Sequence, residues 1–278
     1  MGNFCGKTAF IILFAISLTL NIVTSGFSET DSADGKLSAI TRDIPKFWWD
    51  GGWDKLKDLQ NFISNNPNSP VLCARAQYYI GCYYYSKHDY QKAIDEYAKI
   101  SILYPSVRNE CLQSQYEIAQ ITLNCLNKPE KAIEEYRKVI ALYPNDPASP
   151  ASQLMIGRAY LKMKDVKKAK PEFQKVIDNY PSAKIQCSEA CVEIGDLYFQ
   201  DSLYKDAISF YKKAYLACPA SDSAAMTRIM DKIYESLRNL DGSVARADQF
   251  IEYQKYGPAG QDKALSTADD LKNPLTEF

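Results

Sequence analysis

One histidine, eight cysteines and 34 carboxylates are the side chains of this 278-residue sequence whose chemistry could go beyond packing. His88 stands next to Asp89 in the polar break Ser86-Lys87-His88-Asp89, between two amphipathic stretches. A histidine there reads as a solvated turn residue, not as a base or a metal ligand. No Cys-x-x-Cys-His run, glycine-rich phosphate loop or Gly-x-Ser-x-Gly turn occurs, so haem attachment, nucleotide cradling and a serine nucleophile have no motif to stand on. Asp and Glu are scattered at helix-face positions, where solvation is the ordinary fate of a carboxylate. These residues point to a non-enzymatic protein without metal or cofactor.

The elements that carry them recur. From Ala74 to Pro105 the chain reads as a helical hairpin. Ile80, Gly81 and Tyr84 share one helix face, and Tyr90, Ala93, Ile94, Tyr97 and Ile100 share another. Tyr104-Pro105 stops the second helix, because proline pushes the residue before it out of helical geometry. Gly81, Ala119, Gly157 and Gly195 then follow one another at intervals of 38 residues, each preceded by isoleucine. Ala93, Ala132, Ala169 and Ala207 recur in the second helices, with Tyr97, Tyr136, Phe173 and Tyr211 four residues later. The closing prolines are Pro105, Pro144, Pro181 and Pro219. Small residues at mid-helix let two backbones approach, and the aromatic fills the space beside them. The expectation is an all-α, right-handed α-solenoid of about five hairpins, its stability coupled through nearest neighbours.

Two rows of the first helices lie wide of the helix–helix seam and suggest a concave groove. One holds Tyr78, Tyr116, Leu154 and Val192, the other Tyr85, Leu123, Leu161 and Phe199, with polar Gln120, Arg158 and Asp196 between them. Such stripes serve interhelix packing or a groove for an extended segment or helix of a partner protein. Seven cysteines follow the N-terminal segment, and Cys73, Cys111 and Cys187 share one repeat position, eight residues before the central small residue. Burial as small apolar side chains suits most of them. Antiparallel return of the fourth repeat's second helix makes Cys187 or Cys191 with Cys218 the disulfide candidate.

Small–aromatic–alanine–aromatic–proline in this period resembles the tetratricopeptide repeat (TPR) family, with a period about four residues longer than the usual ~34. The Tyr-Pro endings, followed by Ser106 and Ser182 in two of them, look most like bacterial envelope members, such as the outer-membrane assembly lipoprotein of the β-barrel assembly machinery and the Tol–Pal-associated periplasmic protein. The resemblance implies a protein-binding scaffold, with outer-membrane or cell-wall assembly as its process. A peptidoglycan-processing enzyme's accessory array, or a self-associating spacer, are the other roles such arrays take. Chaperone-binding members hold a C-terminal carboxylate with basic and amide side chains along the groove. Here the matching positions are Arg75, Gln113, Ser86, Asn124 and Lys162, and that clamp is not reproduced.

Residues 1–25 read as a signal peptide. Lys7 precedes the mostly apolar run Ala9 to Val23 and the small residues Thr24-Ser25-Gly26. The alternative is an uncleaved anchor, for which the run is slightly short. No cysteine stands just after the run, so a lipid anchor is not expected. Residues 26–52 read as a linker, 53–67 as a capping helix, 68–258 as the solenoid and 259–278 as a mobile tail. Phe47, Trp48, Trp49 and Trp53 read as cap packing, with membrane or partner contact as the other use of exposed aromatics. Pro171, inside a second helix, should cost about 3 kcal/mol if unrelieved. Net charge is −1, which leaves no basic excess for nucleic acid. A periplasmic protein with a protein or peptide partner is the resulting expectation, touching membrane only through an uncleaved N-terminus.

Overall fold

Helix starts and stops follow from a few residues at each hairpin. The computed structural model describes residues 32–42 and 55–241, among which there are eleven helices and no strand. They are α1 (Ala33–Thr41), α2 (Leu56–Asn65), α3 (Pro70–Ser86), α4 (Tyr90–Leu103), α5 (Arg108–Asn124), α6 (Pro129–Leu142), α7 (Ala148–Lys162), α8 (Val166–Asn179), α9 (Lys184–Gln200), α10 (Tyr204–Ala217) and α11 (Ser223–Asp241). Pro70 and Pro129 open α3 and α6, where a missing N–H costs nothing. Asp89 and Asp165 cap α4 and α8 by accepting from the N–H of Lys92 and Lys168. Between each first and second helix one non-glycine residue takes a left-handed conformation: His88, Asn127, Lys164 and Ser202, with φ of 60°, 53°, 60° and 60°. His88, as a turn residue, is exposed, its Nδ1 2.9 Å from the Tyr90 hydroxyl.

The chain divides into two compact units, Met1–Ala148 and Ser149–Phe278. In the first, α3 packs on α4 and α5 on α6, with α4 also against α5. α2 lies on α3 and buries Leu59 and Phe62. α1 falls inside the stretch expected to be a linker: Ala33–Thr41 is helical, caps itself through Ser32, buries Leu37 and touches both α2 and α3. In the second unit α8 packs on α9, α9 on α10 and α10 on α11. α8 continues through Pro171, which sits on its exposed face. Pro171 removes one N–H on the solvent side, where the unpaired carbonyl can be hydrated. The signal peptide, Phe47, Trp48, Trp49, Trp53 and the 259–278 tail lie outside the described residues.

Two clasps recur in the hairpins. At Gly81 an added Cβ would stand 2.5 Å from Cε1 of Tyr97, and at Gly195 2.5 Å from Cε1 of Tyr211. At Gly157 it would meet Phe173, with Cδ1 at 2.7 Å. The rings of Tyr97, Phe173 and Tyr211 are buried, so each glycine is the socket for a fixed aromatic knob. Ala119 takes the socket position in the second repeat, beside buried Tyr136. The second clasp is polar. Gln77 donates to Glu96 at 2.6 Å and Gln115 to Glu135 at 2.6 Å, and Gln153 donates to Glu172. Lys99, Lys138 and Lys175 hold the same carboxylates at 2.8, 2.9 and 3.0 Å. The fourth repeat replaces this set by Cys191, Phe210 and Lys213, with Phe210 stacked on Tyr198 at 5.5 Å.

Candidate functional site

First helices face their successors at a fixed offset. Arg75 approaches Glu110 at 3.6 Å, Gln113 donates to the Tyr78 hydroxyl at 2.9 Å, and Arg158 pairs with Glu193 at 2.7 Å. Each pair is 35 residues apart in sequence. In the second unit this register builds a concave site on α9, flanked by α7 and α11. A pocket of about 250 Å³ has Ile185, Val192, Pro219 and Ile229 as its apolar lining. Arg158 of α7 reaches across it to Glu189 at 3.1 Å and Glu193 at 2.7 Å. Farther along α9, Asp196 accepts from Lys232 of α11 and from the Tyr211 hydroxyl, both at 2.6 Å. A neighbouring depression of about 220 Å³ shares Asp196 and Lys232 and adds Phe199, Gln200 and Glu235.

Electrostatics keep this lining charged but locally neutralised. Burial works against the Arg158 charge, yet the Glu193 and Glu189 carboxylates outweigh it and raise its pKa. Burial and the Asp196 carboxylate push Tyr211 far up, so its phenol stays protonated and donates. An apolar floor with paired charges on its rim can seat a side chain of an extended segment and exchange rim ion pairs for polar contacts with it. Among the described residues no His, Cys, Asp and Glu group gathers as a metal site, and no helix is long and apolar enough to cross a membrane.

Only part of the sequence-derived groove is brought together. Arg158, Asp196 and Phe199 line the second-unit site; Leu161 is half-buried. Leu154, Tyr78, Tyr116, Gln120 and Leu123 are not groove residues: all five are buried. Tyr78 is 5% exposed because offset three before the small residue points at the next repeat, where its hydroxyl donates to Glu117 at 3.2 Å. Tyr116 packs edge-on against Tyr136 at 5.7 Å and accepts from Gln120 at 3.0 Å. Tyr85 is half-buried, edge-on to Tyr90 at 5.7 Å. The sequence reading missed Glu189, Glu193, Asp222, Arg228 and Lys232. Its available signal was the 35-residue register of opposite charges, Arg75 with Glu110 and Arg158 with Glu193.

The disulfide candidates Cys187, Cys191 and Cys218 are unbridged in this structure. All seven described cysteines are free thiols. Cys187 donates to the Tyr180 carbonyl at 3.1 Å, Cys111 to that of Tyr104 at 3.4 Å, and Cys73 to that of Asn66 at 3.1 Å. Their shared repeat position therefore directs the thiol toward the end of the preceding helix. Cys218 approaches the Pro219 and Asp222 carbonyls at 3.8 and 3.9 Å.

A family model described as tetratricopeptide repeat matches residues 113–146 and 151–183, and a second model of that description matches 188–221. The chain carries tetratricopeptide repeats. The matches fall on the second, third and fourth hairpins, and α3–α4 extends the set with its own Gly81–Tyr97 clasp. Among solved structures, BtubC (BKLC) from P. vanneervenii is similar at 10% identity and a TM-score of 0.53, over 87% of this chain and 99% of that one. The MamA RS-1 ArsTM double mutant is similar at 19% identity and a TM-score of 0.49, over 69% and 98%. At 10% identity the likeness to BtubC is one of fold. No curated protein matches the sequence.

Proposed function

We propose that this chain is an exported, non-enzymatic scaffold of the bacterial cell envelope, and that its second unit takes an extended segment of a partner protein along α9. The observation that carries the reading is the 250 Å³ pocket between α7, α9 and α11, in a chain built of repeats that present such faces to protein segments. Its apolar lining supplies area for an anchor side chain, and its rim pairs supply orientation. Glu189, Glu193 and Asp196 there are engaged with Arg158 and Lys232, an arrangement suited to recognition more than to proton transfer. Export rests on Lys7 and the apolar run from Ala9 to Val23. The envelope process, outer-membrane or cell-wall assembly, rests on the Tyr-Pro repeat endings.

The test is selection of binding peptides from a displayed random library by the full chain, followed by hydrogen exchange on the complex. Protection should fall on α9 and α11, and Ile185→Arg with Val192→Arg should weaken binding at least about tenfold without altering the melt. Protection confined to the second helices, or affinity unchanged in that variant, would refute the groove. Fusing residues 1–30 to a reporter active only outside the cytoplasm tests export separately, and an inactive fusion would refute it.

A further inference from the structure

The two units treat one equivalent position differently. In the second unit Glu193, two residues before the small residue of its repeat, is met from the preceding repeat by Arg158 at 2.7 Å. The equivalent carboxylate in the first unit is Glu117 on α5, and the residue 35 positions earlier, where the second unit has arginine, is Cys82. Glu117 is 3% exposed. Its Oε1 accepts from the Tyr78 hydroxyl at 3.2 Å, and its Oε2 is buried with no hydrogen-bond partner among the described residues. A second-unit ion pair has become a first-unit carboxyl without a cation.

The groups around it supply no positive charge. From α3 it is faced by Tyr78 and Cys82, and from α4 by Tyr97, whose hydroxyl stands 3.3 Å from Cys82 Sγ. On its own helix Gln113 is turned to the Tyr78 hydroxyl, and α6, on the far side, presents Tyr136 to Tyr116. Burial pushes the Cys82 thiol up to about 12 and Tyr78 and Tyr97 well above their ordinary range, so all three stay neutral. An ionised carboxylate here would be a buried charge with one neutral donor, an arrangement proteins avoid by holding the proton.

We propose that Glu117 makes the packing of the first repeat on the second proton-dependent, holding α5 against α3 and α4 while neutral and loosening that seam when it ionises. Burial raises the Glu117 carboxyl from its ordinary 4.5 to about 8, with the Tyr78 hydrogen bond working the other way. The sign follows. Below 4.5 the unfolded and folded chains both hold the proton. Between 4.5 and about 8 only the folded chain does, so stability falls as pH rises and levels off above the folded value. The seam is therefore tight in mildly acidic surroundings and loose in alkaline ones.

Hydrogen exchange of the full chain between about pH 5 and pH 9, corrected for intrinsic rates, reads the opening directly. The opening constant of α3 and α5 amides should rise by up to about tenfold per pH unit inside that window, and in Glu117→Gln it should be flat. An equal rise in parent and Glu117→Gln would overturn the proposal. Should Glu117→Gln fail to fold, Tyr78→Phe decides: loss of its hydrogen bond should extend the rise to higher pH, and an unchanged profile overturns it.

Discussion

Gly157 offers the sharpest test of how the hairpins close, because two effects of opposite sign compete there. Replacing a mid-helix glycine by alanine ordinarily stabilises by about 1 kcal/mol, through restricted backbone freedom in the unfolded chain. Here the new Cβ would lie within 2.7 Å of Phe173 Cδ1, a ring with no exposed surface to move toward. Relieving such overlap costs about 1–3 kcal/mol. The ring is rigid and buried, so the upper part of that range applies, and Gly157→Ala should be destabilising by about 1 kcal/mol net. Gly157→Leu adds three more carbons and should exceed about 3 kcal/mol. Denaturant unfolding, with hydrogen exchange resolving α7 to α10, is the measurement, since an array need not melt in one step. Coupling through neighbours should carry the loss into α9 as well. A Gly157→Ala variant more stable than its parent would show that helix propensity wins and that the socket does not exist. Ala119 beside Tyr136 marks the sign as a local matter, since that repeat already accommodates a Cβ.

Lys164 occupies a left-handed turn at φ 60°, so Lys164→Gly should stabilise the second unit by about 0.5–1 kcal/mol in the same unfolding assay. A loss of stability there would refute the strain argument. Thiol reactivity orders the cysteines: half-buried Cys125 and Cys218 should alkylate first, while Cys73, Cys82, Cys111, Cys187 and Cys191 should wait for unfolding. Burial pushing Cys191 up to about 11 and Cys82 to about 12 slows these two further. Mass spectrometry of timed alkylation reads the order, and early modification of Cys82 would contradict it.

Hairpins were legible because socket and knob recur together: a glycine in mid-helix permits a close approach, and a tyrosine or phenylalanine 16 residues later, as at Gly81 and Tyr97, is of a size to fill it. α1 was not legible. Ala33–Thr41 buries Leu37 and packs Ala33 and Ile40 beside it, but three apolar positions in a nine-residue helix are too few to stand out as a periodic signature. The groove was half legible, since Arg158 and Asp196 stand out as polar residues on an apolar face. Tyr78 and Tyr116 misled because a first helix in a stack has three neighbours, its own partner and the repeats on either side. A position off one seam can therefore lie on another. The cysteine slot carried a signal of its own: Ser149 stands in the place of Cys73, Cys111 and Cys187, so the position takes a small side chain rather than cysteine alone.

That donor slot has a consequence for how the chain is made. The carbonyls ending α4 receive the Cys111 thiol, seven residues beyond Tyr104, and those ending α8 receive Cys187, seven beyond Tyr180. A second helix is thus finished by the opening turn of the repeat that follows it. On a chain emerging N-terminus first, these two hairpins would stay one bond short until the next first helix begins to coil. At these two junctions growth is then directional: the new repeat seals the one before it.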